Sequence, residues 1–247
     1  MTLFVAEIGL NHLGDEKLAF KMVKDISKTG IKAISMQILH HQDYDNTEPW
    51  RKKLDIKVYK KIISFLKKKK IQFGLGIHDE NALFEFKNLK IDFWKIISFR
   101  FYNDRLIKGA LKTSKPVFIS TGISSLNDIR QCAKKHPKAN FLHTTLSKNI
   151  SPNLEAIDVM RKIKKKIGYS LHSEVNELII AALAKKADPI FFYVKNNDKK
   201  FYPDGNHAIN INYLGKKLEL WEYISYSIGS GVKKRLKVPS WVVTVVK

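Results

Sequence analysis

The sequence predicts a single α/β domain, a parallel eight-stranded (β/α)8 or TIM barrel, and three observations predict it. The 247 residues match the roughly 250 typical of a one-domain barrel. Eight short apolar runs alternate strictly with amphipathic stretches, a pattern that right-handed crossovers convert into a parallel sheet. The runner-up is an open doubly wound sheet, which expects a GxGxxG loop after its first strand. Gly9-Leu10-Asn11-His12-Leu13-Gly14 does not supply one.

The first strand is read at residues 3–8. After it Leu18, Met22 and Ile26 recur four apart with Lys17, Lys21 and Lys24 between them, which makes a helix with one apolar face. Further strands are expected at 33–38, 71–77, 93–97, 117–120, 140–144, 167–170 and 189–194. Helices are expected near 55–69, 78–88, 103–113, 124–135, 153–165, 174–186 and 209–228. The barrel is assigned to residues 1–234. The tail 235–247 ends in Trp241-Val242-Val243-Thr244-Val245-Val246, a strand-like piece that would cover the barrel bottom or pair with another subunit as a homodimer.

Composition narrows the classes. At 44% hydrophobic and 11% aromatic the chain is not disordered. A lone cysteine, Cys132, permits no internal disulfide and fits a reduced, cytoplasmic compartment. No secretory signal and no membrane-length apolar run is present, so no membrane partner is expected. The net charge of +22 attracts anions. The lysines are scattered along helices, as in Lys60-Lys61 and Lys164 to Lys166, which reads as solvated helix faces; no specific nucleic-acid partner is expected.

Chemistry in this fold sits at the C-terminal strand ends. The polar residues there are Glu7, Ser35 with Gln37, His78, Lys95 with Ser98, Ser120 with Thr121, His143 with Thr144 and Thr145, Ser170 with His172, and Lys195. Glu7 and Lys95 stand inside apolar strands, where a charge without a partner is costly. Both are expected to face the barrel mouth, as a functional pair or as a purely structural one.

These strand ends carry a resemblance. Ala6 to Gly14 (AEIGLNHLG), Trp94 to Ser98 (WKIIS), Pro116 to Gly122 (PVFISTG) and Gly168 to Ser173 (GYSLHS) resemble, in order and spacing over about residues 3–210, motifs of the sialic acid (N-acetylneuraminate) synthase family. The resemblance implies an enzyme of carbohydrate biosynthesis that condenses phosphoenolpyruvate with an N-acyl hexosamine-type aldose to a nonulosonic α-keto acid. A divalent metal, Mn²⁺ or Mg²⁺, would polarise the sugar aldehyde. It implies Glu7 as the catalytic glutamate, Lys95, Ser98, Ser120 and Ser170 as groups holding phosphoenolpyruvate, and His172 as a metal-binding histidine. Asn11, His12 and Gln37 also fall on motif positions.

The sequence departs from that pattern at Ser35, Gly76, Leu146 and Val194, where the family carries a lysine, a threonine, a polar residue and a second metal histidine. Lys148 replaces a tyrosine. The family's C-terminal antifreeze-like domain does not fit in this length. His207 or Asp204, in Pro203-Asp204-Gly205-Asn206-His207, is a candidate replacement metal ligand or sugar contact, and Lys195 or Lys148 a candidate fixed cation. The alternative to a diverged synthase is a non-catalytic family barrel with an altered substrate or an assisting role.

Overall fold

A computed structural model describes residues 2–45, 47–146, 151–229 and 231–233. The tail 235–247, for which a strand and a dimer contact are expected, lies outside them. Eight parallel strands follow in chain order: β1 Phe4–Gly9, β2 Ala33–Ile38, β3 Gln72–Ile77, β4 Phe93–Ile96, β5 Val117–Ser120, β6 Asn140–His143, β7 Ile167–Ser170 and β8 Ile190–Lys195. Each pairs with the next, and β1 pairs with β8 from Phe4↔Ile190 to Glu7↔Tyr193, which closes the barrel. A two-residue β9, Ile209–Asn210, pairs in parallel alongside the end of β8, Val194↔Ile209 and Lys195↔Asn210. The expected helix over 209–228 therefore begins two residues later.

The helices are α1 Glu16–Ile26, α2 Ile56–Lys68, α3 Glu80–Phe86, α4 Asp104–Leu111, α5 Leu126–Lys135, α6 Glu155–Arg161, α7 Leu178–Ala184 and α8 Ile211–Ile228. Most begin on a side chain that accepts a free N–H of the first turn. Asp15, Asp55, Asp79, Asn103 and Asn210 do so for α1, α2, α3, α4 and α8, and Ser125 with Asp128 forms a capping box on α5. Helices α6 and α7 have no such cap and start later than their apolar pattern suggests. No helix among the described residues is long and apolar enough to cross a membrane.

Period two decides what reaches the barrel axis. One cluster, Val5, Ala33, Phe93, Leu142 and Phe191 with Phe118 against it, fills the interior. The rings of Phe93, Phe118 and Phe191 meet edge to face at 5.6, 5.7 and 5.9 Å, a dry floor. The larger cluster packs the outer strand faces against the helices. Two residues above the floor, the same strands carry Glu7, Ser35, Lys95, Ser120, Thr144 and Tyr193, so the polar layer of the mouth follows from the register of the apolar one.

Candidate active site

Glu7 and Lys95 meet in that layer. Lys95 Nζ donates to Glu7 Oε2 at 2.5 Å and to Ser170 Oγ at 3.0 Å, and Ser35 Oγ donates to Glu7 Oε1 at 3.2 Å. Strands β1, β2, β4 and β7 thus converge on one buried ion pair. The ammonium also lies 5.0 Å from the centre of the Phe191 ring, an electrostatically favourable face. An ammonium has three protons and a carboxylate about four acceptor positions. The cluster therefore keeps donor and acceptor capacity for a ligand.

On the next strands, Ser98 Oγ accepts the Gly122 N–H at 3.1 Å. Ser120 Oγ and Thr144 Oγ1 are buried with no protein partner. Buried hydroxyls are nearly always satisfied, so two orphans on adjacent strands point to a ligand-binding face. A side chain at Gly122 would press on Ser98 Oγ at 2.8 Å and Leu146 Cγ at 2.7 Å, so these groups share one tight corner.

Across the mouth, Tyr193 links several expected residues. Its hydroxyl donates to Gln37 Oε1 at 3.3 Å, and Gln37 Nε2 lies 2.7 Å from His78 Nε2. Its ring packs on His172 at 5.4 Å and His207 at 4.9 Å, and those two imidazoles lie 5.0 Å apart. Burial, then the charge of Lys95, holds His172 well below the usual histidine range, so its ring is neutral at pH 7. Burial likewise lowers His78 to about 4.

The loop after β8 is pinned beside β1. Asn11 Nδ2 donates to the Val194 carbonyl at 2.9 Å, and Asn11 Oδ1 accepts the Asp204 N–H at 3.1 Å. Gly9 turns the chain there with a φ of 55°; a Cβ would lie 2.5 Å from Tyr193 Cε1 and 2.7 Å from Asp204 Oδ2. Only glycine combines that backbone with that approach. Asp204 Oδ2 is buried without a partner. Burial raises its pKa to about 7; the Leu10 N–H opposes this, Glu7 adds to it, and Lys95 offsets part.

The sequence model of the NeuB family matches residues 21–233, well over half of the chain. The chain belongs to the NeuB family. It is similar to N,N'-diacetyllegionaminic acid synthase of Campylobacter jejuni, 24% identical over 277 positions that cover 100% of this chain and 83% of that protein. It is also similar to N-acetylneuraminate-9-phosphate synthase of Mus musculus, 23% identical over 260 positions that cover 94% and 72%. The solved N-acetylneuraminic acid synthetase of Leptospira borgpetersenii, in complex with citrate, superposes with a TM-score of 0.86 at 23% identity, over 99% of this chain and 90% of that one. A truncated 3-deoxy-D-arabino-heptulosonate 7-phosphate synthase of Thermotoga maritima reaches 0.74 at 15% identity, over 94% and 89%. These superpositions establish the shared barrel.

Within this NeuB-family barrel the departures have physical readings. Ser35 is buried against Glu7, where a lysine would crowd a second ammonium beside Lys95. Gly76 pairs with both Gln37 and Lys95 and has room for a side chain, since a Cβ there would make ordinary van der Waals contacts at 3.7 Å or more. Val194 packs in the outer, sheet–helix cluster, and the residue of β8 that reaches the mouth is Tyr193. Alternation from Phe191 could have identified Tyr193, but the apolar run Ile190 to Val194 hid it. Lys195 turns to its own loop, donating to the Gly205 carbonyl at 3.0 Å. Lys148 lies outside the described residues.

Metal binding in such a mouth needs neutral imidazole or carboxylate donors. His172 and His207 bring two rings together, and His172 is neutral. The two rings, tilted by 33°, are the candidate donors there for a cation that would complete its coordination with water and substrate oxygens.

Proposed function

We propose that this chain joins phosphoenolpyruvate to an N-acyl hexosamine-type aldose, giving a nonulosonic α-keto acid and phosphate. The observation that carries this reading is the buried Glu7–Lys95–Ser170 cluster at the C-terminal mouth. In the reaction, carbon 3 of phosphoenolpyruvate attacks the aldehyde carbon, water adds at carbon 2, and phosphate leaves. The remaining Lys95 proton and the Ser170, Ser98, Ser120 and Thr144 hydroxyls would hold the anionic groups of phosphoenolpyruvate. Glu7, with lone pairs left over from Ser35 and Lys95, would accept a proton from the attacking water.

Asp204, its carboxyl close to half protonated at neutral pH, would face the sugar and hand a proton to its oxygen. Gln37, fixed by Tyr193 and His78, would orient the sugar. A divalent cation, Mn²⁺ or Mg²⁺, held by His172 and His207, would supply polarisation of the aldehyde.

The test is phosphate release from phosphoenolpyruvate across a panel of N-acyl hexosamines with Mn²⁺. Release should depend on the aldose and fall about 100-fold or more in Glu7→Gln, the loss typical of a general base. No release with any aldose would favour an assisting, non-catalytic barrel, the reading that the departures at Ser35, Gly76 and Leu146 support.

A further inference from the structure

The ends of β2 and β3 bring together a group that the proposed reaction does not use. Past Ile38 the chain passes through His40 into a 3₁₀ turn, His41–Asp43. Past Ile77 it reaches His78 and then Asp79, the N-cap of α3. Asp79 Oδ1 accepts the Ala82 N–H at 2.6 Å, while Oδ2 accepts the His41 N–H at 2.9 Å. That same Oδ2 lies 3.0 Å from His41 Nδ1 and 3.6 Å from His40 Nε2. The three donor atoms all lie within 4.8 Å of one another, and among the described residues no other trio of His, Cys, Asp or Glu does so.

We infer that His40, His41 and Asp79 form a binding site for one divalent cation of the Zn²⁺ or Co²⁺ class, on the β2–β3 rim of the mouth.

Geometry is the first argument. Bonds from such an ion to imidazole or carboxylate are about 2.0–2.2 Å, so two ligands of a tetrahedral centre stand roughly 3.3–3.5 Å apart. The separations of 3.0 and 3.6 Å bracket that value, and the two imidazole donors lie within 4.8 Å of each other, within reach of one ion after ring rotation. The donor set is the second. Two imidazoles and one carboxylate suit Zn²⁺, Co²⁺ or Ni²⁺ rather than the all-oxygen shells of Mg²⁺ and Ca²⁺.

Support from the surrounding structure is the third argument. Asp79 is anchored through its other oxygen to the start of α3, and its side chain is almost wholly buried. The rings of His40 and His41 are in contact, 4.6 Å apart and tilted by 35°, which limits how far either can turn. Water completes the shell, and the contact from the Asn81 amide N–H to His41 Nδ1 at 3.1 Å is given up, because that lone pair then goes to the ion. Binding gives up the weak contact from the Gln42 N–H to His40 Nδ1 at 3.3 Å, because that nitrogen then carries the proton. The cation would clamp the loop after β2 to the first turn of α3. It is separate from the His172–His207 pair and does not depend on the proposed reaction.

The experiment uses tag-free, chelator-stripped protein in the His172→Gln background, which disables the His172–His207 pair. Co²⁺ is followed through its visible ligand-field bands, Zn²⁺ by calorimetry, and Tm with and without Zn²⁺. One equivalent of Co²⁺ with tetrahedral bands is expected, with a Tm rise of about 5 °C at saturating Zn²⁺. His41→Ala, a half-exposed position, should weaken binding by about tenfold or more and abolish the Tm rise. Its metal-free Tm should stay at the parent value. Asp79→Asn, which keeps a capping side chain, should weaken binding to a similar degree. The proposal is overturned by absent bands, by binding that survives His41→Ala unchanged, or by binding that disappears with His172→Gln alone. Each of these outcomes leaves the phosphate-release assay of the proposed reaction unaffected.

Discussion

Glu7 and Lys95 are each almost inaccessible, and a buried charge is tolerated only with its partner. Glu7→Gln leaves the ammonium with the Ser170 hydroxyl and a neutral amide, so it should lose about 3–5 kcal/mol of folding stability as well as turnover. Lys95→Met should lose a similar amount. The double variant, which removes both charges, should be more stable than either single one while remaining inactive; urea unfolding of all four proteins checks this. Asp204 makes the opposite kind of statement. Its pKa is raised from 3.8 to about 7, so the folded state holds a proton that the unfolded chain releases. Its destabilising effect grows from about pH 4 to pH 7 and is complete above that, with an upper bound on the order of 4 kcal/mol. Asp204→Asn should therefore gain stability relative to the parent at pH 8 and little at pH 4. An equal gain at both pH values would contradict the buried, protonated carboxyl.

Strand β3 separates two kinds of glycine that look alike in sequence. A Cβ on Gly74 would lie 2.0 Å from the Phe93 ring, in the floor of the barrel. A Cβ on Gly76 would have its nearest neighbour at 3.7 Å. Gly74→Ala should cost about 1–3 kcal/mol through overpacking. Gly76→Thr should leave the fold intact, raise Tm slightly through strand propensity, and lower the KM for phosphoenolpyruvate if that ligand sits above β3. Thermal scans of the two variants, read against steady-state kinetics, decide both points. The same strand illustrates what sequence could and could not reveal. The strands and the Glu7–Lys95 pair were legible because burial writes itself as apolar runs, and a charge inside such a run needs a reason. Tyr193 was not, because a phenol in Ile190 to Val194 looks like one more apolar residue. His40, His41 and Asp79 were not, because nothing local joins two loops 38 positions apart until β2 and β3 pair. The motif match to Val194 pointed to an outward face, since counting residues does not record which side of a strand they occupy.

At the scale of the whole molecule, 45 basic residues face 23 acidic ones, and several histidines are buried neutral. Burial lowers His12 to about 4, overriding the opposing pull of Asp15, and lowers His143 as well. A base whose folded pKa is depressed stabilises the fold fully above its unfolded value of 6.5, and that stability is lost as pH falls toward the folded pKa. For His12 the loss amounts to about 3 kcal/mol by pH 4. His78 adds to it in metal-free protein. Asp204 works the other way over the same interval, so the fall comes from several histidines outweighing one carboxyl. Protonating surface carboxylates meanwhile raises a net charge already at +22, and self-repulsion grows. The two contributions answer differently to salt. Screening acts on exposed charges and barely reaches buried rings. Urea unfolding in the presence of a chelator should therefore show greatest stability near or above pH 7 and a decline toward pH 4. Added salt should raise the whole curve, most at low pH, and leave a residual slope between about pH 6.5 and pH 4. A profile that becomes flat at high salt would assign the acid sensitivity to surface repulsion alone and contradict the neutral state of the buried imidazoles.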